Sequence, residues 1–252
     1  MEIIFLGTGT SQGIPVIGCD CKVCKSTDQK DKRTRSSIWI DTGKNHILID
    51  TSPDLRSQLL HENITSVDAI LYTHEHKDHT GGLDDIRPIY FRKKTPIPVF
   101  GNKQTLNAIR ADYAYIFEKE RYPGVPEIVL HYIENYPFYF NNDKIIPIHV
   151  HHYKNPVFGY RINNTIYITD AKAIPSEEME KLFGCDILII NALRIQPHYS
   201  HLNLKETLQI IEIVKPKRAF ITHISHQMGL SESIDLPENI SLAYDGMKIS
   251  DI

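Results

Sequence analysis

The stretch that decides the fold is Ala69-Ile70-Leu71-Tyr72-Thr73-His74-Glu75-His76-Lys77-Asp78-His79-Thr80-Gly81-Gly82. An apolar run typical of a buried strand leads directly into three histidines and one aspartate. Imidazole nitrogens and carboxylate oxygens are the ligands that zinc, manganese and iron ions accept in proteins. On an extended chain His74 and His76 project to the same side, and Asp78 and His79 follow where the chain turns. The stretch therefore predicts a metal site.

The alternative interpretation of this stretch is a polar turn that happens to be rich in histidine. Four ligand-type side chains within six positions rarely serve a packing purpose, so we favour the metal site. The pair Gly81-Gly82 supports this choice, because glycine lets the backbone turn tightly behind the ligands.

Composition and length describe an ordinary globular chain. The 252 residues are 41% hydrophobic and 23% charged, with a net charge of −3. We expect a single domain over residues 1–252, with a small zinc-binding loop at 18–25. No basic block suggests a nucleic-acid partner. The short apolar N-terminal run and the absence of a stretch of roughly 20 apolar residues predict a cytoplasmic protein without a membrane partner.

Short runs rich in Ile, Val, Tyr and Thr recur along the chain and predict strands. The predicted strands are 2–6, 37–41, 46–50, 68–72, 97–100, 144–150, 157–162, 165–169, 186–190, 218–222 and 240–244. Helices are expected between some of them. The predicted helices are one capped by Ser52 that runs to about His61, one from Ser176 to Phe183, and one opened by a capping box of Asn203 and Glu206. This mixture predicts an α/β fold of two face-to-face sheets with helices outside.

The pattern His-x-His-x-Asp-His after a strand, with Leu48-Ile49-Asp50 upstream, resembles the metallo-β-lactamase superfamily. The start Gly7-Thr8-Gly9-Thr10-Ser11-Gln12-Gly13-Ile14-Pro15 and the run Gly18-Cys19-Asp20-Cys21-Lys22-Val23-Cys24 narrow the resemblance. Both are similar to the phosphodiesterase branch that includes the phosphoribosyl 1,2-cyclic phosphate phosphodiesterases. The resemblance covers nearly the whole chain. It implies a four-layer αββα sandwich of two mixed β-sheets flanked by helices.

The resemblance also implies a catalytic pair of divalent ions, Zn or Mn. The third histidine of the family precedes a Gly-Tyr by seven positions, which selects His152 here and leaves His151 as the runner-up. Asp170 matches the bridging aspartate of the family; without the histidine-rich stretch it would be interpreted as a turn residue. The implied ligands are His74, His76 and His152 for one ion, Asp78, His79 and His223 for the other, and Asp170 between them. We expect Asp50 to orient a ligand.

The cysteines suggest a second metal site. Cys19, Cys21 and Cys24 lie within six positions, and in a cytosolic protein such a cluster favours metal binding over disulfides. Tetrahedral zinc needs a fourth ligand and accepts histidine. The branch uses a histidine three positions after the one matched by His223, which is His226. The prediction is a closed structural zinc site; the alternative is three reduced surface cysteines.

The resemblance implies catalytic roles for His201 and Asp78, with a hydroxide between the metals as nucleophile. His201 lies 22 positions before His223, as does the catalytic histidine of the related phosphodiesterases, and would protonate the leaving alkoxide. Asp78 would orient the water as well as bind metal. An exposed loop histidine is the alternative for His201, and His198 is a reserve candidate. Three arginines, Arg87, Arg92 and Arg194, would contact substrate phosphate or simply face solvent.

The function expected from these residues is metal-dependent hydrolysis of a small or cyclic phosphate diester, such as phosphoribosyl cyclic phosphate or a 2′,3′-cyclic nucleotide. The alternatives are a thioester or lactone hydrolase, a tRNA 3′-end-processing nuclease and a non-enzymatic zinc-stabilised binding module. The partner expected is thus a small-molecule phosphate ester, with nucleic acid disfavoured. The resemblance is also compatible with a homodimer.

Overall fold

The computed structural model describes residues 1–120 and 122–250. Over these residues, fourteen strands form two seven-stranded sheets. The strands are β1 (Glu2–Gly7), β2 (Ser37–Asp41), β3 (His46–Ile49), β4 (Ala69–Leu71), β5 (Ile97–Gly101), β6 (Ile128–Tyr132), β7 (Phe138–Phe140), β8 (Asp143–His152), β9 (Asn155–Ile162), β10 (Thr165–Ile168), β11 (Ile187–Asn191), β12 (Arg218–Thr222), β13 (Ile240–Leu242) and β14 (Lys248–Ile249).

Both sheets are mixed in the same way. The first has the order β14-β1-β2-β3-β4-β5-β6 and the second β13-β12-β11-β10-β9-β8-β7. In the first sheet β1, β2, β3 and β14 pair antiparallel, whereas β3 to β6 pair parallel. In the second, β7 to β10 pair antiparallel and β10 to β13 parallel. The carboxyl ends of the parallel strands therefore meet at one edge of each sheet.

Three apolar clusters show how the layers pack. The central cluster joins side chains of both sheets, including Phe5 and Ile49 from the first and Tyr160 and Phe220 from the second. A second cluster lies under the helices of the first sheet and a third under those of the second. The α-helices are α1 (Lys22–Lys25), α2 (Leu55–His61), α3 (Lys77–Thr80), α4 (Arg87–Lys93), α5 (Lys103–Asp112), α6 (Ala114–Phe117), α7 (Ser176–Met179) and α8 (Leu204–Val214). The predicted four-layer αββα sandwich is confirmed.

Several local predictions are confirmed and others are corrected. The capping box of α8 is present: the side-chain oxygen of Asn203 accepts from the Glu206 backbone N–H at 2.9 Å, and the Glu206 carboxylate accepts from the Asn203 backbone N–H at 2.9 Å. The N-cap of α2 is Asp54 instead of Ser52. The Ser52 hydroxyl accepts a hydrogen bond from the Asp54 backbone N–H in the turn that precedes the helix. The helix predicted from Ser176 ends at Met179 and continues only as turns.

The strands that the sequence did not predict are β6, β7 and β14. Each has one strand neighbour and lies at a sheet edge, where few side chains are buried. An edge strand with this burial lacks the long apolar run that marks the central strands. Within the described residues, no helix combines the length and apolar character needed to span a membrane.

Candidate metal centre

The candidate site lies where strand ends of both sheets meet. Asp50 follows β3, His74 to His79 follow β4, His152 ends β8, Asp170 follows β10, and His223 follows β12. Three of these, Asp50, Asp170 and His223, have positive φ angles of 62°, 57° and 55°. This left-handed conformation is uncommon outside glycine and costs energy, so it tends to persist where function requires it. It turns the chain immediately after each buried strand, at the edge where the site forms.

His79 lies at the centre of three carboxylates. Its Nδ1 is 2.7 Å from Asp50 Oδ2, so the ring donates a hydrogen bond there and leaves Nε2 without a proton in the neutral form. Nε2 lies 3.2 Å from Asp78 Oδ2 and 3.2 Å from Asp170 Oδ2. This nitrogen is buried and has no hydrogen-bond partner among the residues that the structure describes. A buried nitrogen of this kind, which faces two carboxylates, fits a cation bound by His79, Asp78 and Asp170 together.

Asp170 connects the two halves of the cluster. Its Oδ1 is 3.0 Å from His201 Nε2, and its Oδ2 is 3.2 Å from both His79 Nε2 and His223 Nδ1. One carboxylate thus contacts three imidazoles, and its two oxygens face different partners. A carboxylate has enough lone pairs to serve two ions at once.

The remaining histidines of the cluster, His74, His76 and His152, lie close to one another. His74 Nε2 is 2.9 Å from His76 Nδ1, and the rings of His76 and His152 lie 5.2 Å apart. His152 Nδ1 donates to the Ser200 carbonyl at 2.9 Å, which leaves its Nε2 as an acceptor. Its neighbour His151, the runner-up, is exposed on the opposite side of the strand. The geometry therefore places His152, and not His151, beside the other imidazoles.

The compact groups of ligand atoms differ partly from the predicted division. Asp78, His79 and His223 form one group, as predicted for the second ion. The predicted trio for the first ion is not itself such a group. The other groups instead share Asp170: one combines it with His74 and His79, and one with His152 and His201. His201 thus lies close enough to be a ligand as well as an acid.

The electrostatics of the cluster favour bound cations. Burial lowers the pKa of His74 and of His152, so both are neutral and have a free lone pair. Burial would raise the pKa of Asp170, but the charges of His223 and His79 outweigh burial and lower it. Burial raises the pKa of Asp50. Such a concentration of buried carboxylates is costly unless positive charge accompanies it, so the donor set fits divalent ions.

Supporting contacts that the sequence did not reveal hold these ligands. Thr73 donates to Asp50 through its backbone at 2.9 Å and its hydroxyl at 2.8 Å, which fixes the carboxylate against His79. The hydroxyls of Ser36 and Thr169 each lie 3.3 Å from His223 Nδ1. No sequence signal marks Ser36, since it is 187 positions from its partner.

The three candidate arginines bond to groups outside the cluster of ligand candidates. Arg87 pairs with Asp84 at 2.6 Å, and Arg92 bonds the Thr65 carbonyl. Arg194 donates to carbonyls of its own loop and to the Gln227 side chain. These contacts make them structural groups of loops and helix ends.

The cysteine cluster forms a compact group of its own. His226 Nδ1 lies 3.3 Å from Cys19 Sγ, 3.4 Å from Cys21 Sγ and 3.6 Å from Cys24 Sγ. Tetrahedral zinc, with Zn–S bonds of about 2.3 Å and Zn–N bonds of about 2.0 Å, requires S···N separations of about 3.5 Å. The backbone N–H of Cys24 lowers the pKa of Cys21 to about 6, which favours the thiolate that metals bind. The four residues fit a closed zinc site.

Replacing Cys21 by Ser tests this site. We expect the variant to lose one zinc per chain and to melt at least about 5 °C lower, because the metal joins chain segments about 200 positions apart. Metal analysis and thermal unfolding measure both quantities. Cys185→Ala is the matched control, since this buried thiol lies in the cluster under α8 and should not change the zinc content. An unchanged zinc count and melting temperature in the Cys21 variant would leave the cysteines as ordinary thiols.

Comparison with known proteins agrees with this geometry. Residues 45–224 match the model of the β-lactamase superfamily domain, a range that includes every ligand candidate of the catalytic cluster. The chain belongs to the metallo-β-lactamase superfamily. Within it, a crystal structure described as a new diphosphatase from the PhnP family superposes with a TM-score of 0.93 at 38% identity. That match covers 100% of this chain and 98% of the other. The branch predicted by resemblance is confirmed.

Two further proteins of known name are similar to this superfamily member. An octanoyltransferase of Porphyromonas gingivalis is 41% identical over 98% of this chain, but the chain spans only 51% of that protein, about half its length. The zinc-bound PqqB of Methylobacterium extorquens has a TM-score of 0.79 at 16% identity and covers 99% of this chain and 100% of its own. At that identity PqqB shares the fold alone.

Proposed function

We propose that this protein is a binuclear metal-dependent phosphodiesterase that cleaves a small or cyclic phosphate diester. The observation that carries the proposal is the contact of His201 Nε2 with Asp170 Oδ1 at 3.0 Å, inside the cluster of ligand candidates. An alkoxide is a poor leaving group and needs a proton in the transition state. A histidine held beside the shared carboxylate is well placed to supply it.

In the proposed metal-bound state, the ligand candidates would divide into two sets around Asp170. His74, His76 and His152 would hold one divalent ion, and Asp78, His79 and His223 the other. When bound in such a site, a pair of divalent ions lowers the pKa of water and offsets the charge on phosphate oxygens. The chain itself orients the ligands: Asp50 fixes His79, and the Ser200 carbonyl fixes His152.

His201 is held from both sides of its ring. Its Nε2 faces Asp170, while its Nδ1 lies 3.0 Å from Ser200 Oγ and 3.3 Å from His198 Nδ1. The side chain is only 11% exposed, so neighbouring groups confine the ring. His201 would donate its proton to the leaving oxygen, and Asp170 would keep the ring oriented for that transfer.

Cleavage of a diphosphate bond is the second candidate function. The similar structure at 38% identity is described as a diphosphatase, so a phosphoanhydride is the second candidate substrate, after the phosphodiester. A phosphate leaving group is already stable as an anion and depends less on protonation. Sensitivity to the loss of His201 therefore separates the two functions.

Hydrolysis assays test the proposal. Purified protein loaded with Mn²⁺ or Zn²⁺ should hydrolyse bis-p-nitrophenyl phosphate and 2′,3′-cyclic nucleotides faster than members of a thioester and lactone panel. An octanoyl thioester belongs in that panel because of the Porphyromonas gingivalis relative, and a precursor tRNA tests 3′-end processing. Turnover of a thioester, a lactone or precursor tRNA without phosphodiester turnover under any metal would overturn the proposal.

A further inference from the structure

Two exposed tyrosines lie on the loops that carry the site histidines. Tyr153 directly follows His152, and Tyr199 precedes His201 by two positions. The two residues are 59% and 73% exposed, and their ring centroids are 5.9 Å apart at an interplanar angle of 89°. Exposed aromatic rings on two loops that meet beside a polar site commonly contact ligands.

A continuous series of rings joins this pair to the proposed acid. The rings of His152 and His201 are 4.5 Å apart, and those of His201 and His198 are 5.2 Å apart. His198 in turn lies 4.5 Å from Tyr199 with the planes tilted by 30°. A substrate whose leaving oxygen reaches His201 would therefore extend its leaving group toward the two tyrosines.

The loop that carries Tyr199 is held in place before any ligand binds. The Arg194 guanidinium donates to the Gln196 carbonyl at 3.2 Å, to the Pro197 carbonyl at 2.7 Å and to the Gln227 side-chain oxygen at 2.7 Å. Tyr153 lies in the tight turn between β8 and β9 with φ of 55°. Two loops fixed in this way lose little freedom when they bind a ligand.

We propose that Tyr153 and Tyr199 form a stacking platform for the nucleobase of a mononucleotide, on the leaving side of the scissile phosphate. This rests on the proposed phosphodiesterase function and narrows its substrate class. Flat bases stack on aromatic side chains regardless of base identity, so the platform selects a nucleoside without selecting its base. The net charge of −3 favours a mononucleotide over a long nucleic acid, which would need many phosphate contacts.

The test compares two substrates that share the reacting bond. Adenosine 2′,3′-cyclic phosphate carries a base, and methyl ribofuranoside 2′,3′-cyclic phosphate does not. We expect the ratio of their kcat/KM values to fall about 10-fold in Tyr199→Ala and to stay near wild type in Tyr199→Phe, which keeps the ring. Tyr139→Ala is the matched control, because Tyr139 is 66% exposed on the edge strand β7.

A binding measurement separates this proposal from the proposed function. Calorimetry with adenosine 3′-phosphate and with ribose 3-phosphate needs no turnover. Tighter binding of the nucleotide, lost in Tyr199→Ala, supports the platform even if neither cyclic phosphate is hydrolysed. Hydrolysis of both substrates with the same kcat/KM, or an unchanged ratio in Tyr199→Ala, overturns the platform and leaves the phosphodiesterase intact. A higher kcat/KM for an oligonucleotide than for the mononucleotide would overturn the choice of a small substrate.

Discussion

The variant Asp170→Asn is expected to lose metal from the catalytic cluster and to turn over a phosphodiester on the order of 10³-fold more slowly. Asp170 is the only side chain that contacts His79, His201 and His223 together among the described residues. Asparagine has the same shape and tolerates the positive φ of this position, so the fold should survive the change. What is lost is the charge and the second anionic oxygen that would serve two ions.

Metal content per chain and kcat/KM on one phosphodiester measure this effect. The matched control is Asp235→Asn, which removes an exposed carboxylate that is not a member of the cluster. If Asp170→Asn kept the metal content and turnover of the wild type, Asp170 would not be a metal ligand of the site. A melting temperature near that of the metal-free wild type would exclude misfolding as the cause of any loss.

Replacing His201 by Ala should slow phosphodiester hydrolysis by about 10²- to 10⁴-fold while the catalytic metals stay bound. The loss should be largest for esters with alkoxide leaving groups. It should be smaller for bis-p-nitrophenyl phosphate, whose nitrophenolate leaves without much help from an acid. This dependence on the leaving group is specific to the loss of a proton donor.

The geometry also allows the opposite result for His201, because its ring lies in one compact group with His152 and Asp170. If His201→Ala lost metal, and if its hydrolysis rate fell by the same factor for all leaving groups, His201 would be a metal ligand and not a proton donor. His61→Ala is the control, since this histidine lies on α2 with an 81% exposed side chain. Rates and metal content of the control should match the wild type.

The strands that position the site were predictable because they are buried. The chain from Ala69 to Leu71 is fully buried and apolar, and β2 and β12 have the bounds that the sequence predicted, each around a buried apolar run. The helix α8 was predictable from its capping box, a local signal. By contrast α5 buries only Thr105, Leu106 and Ile109, so its amphipathic pattern is sparse. The edge strands β6, β7 and β14 and the short helices α3 and α6 depend on tertiary contacts that no local pattern reveals.

The sequence predicted which residues form the site better than it predicted which of them lie together around each ion. Motif spacing brought out His152 and Asp170, which the fold then places within reach of His201. The contacts of Ser36, Thr169 and the Ser200 carbonyl with ligand histidines were not predictable, because they join segments remote in sequence. Which three ligands surround each ion depends on side-chain angles, and spacing along the chain does not determine them.

Elemental analysis combined with anomalous scattering from crystals of metal-loaded protein tests the two-metal centre most directly. We expect two ions on either side of the Asp170 carboxylate and a third between Cys19, Cys21, Cys24 and His226. An anomalous map without density beside Asp170, from protein loaded with Zn²⁺ or Mn²⁺ in excess, would contradict the centre on which the proposed chemistry depends.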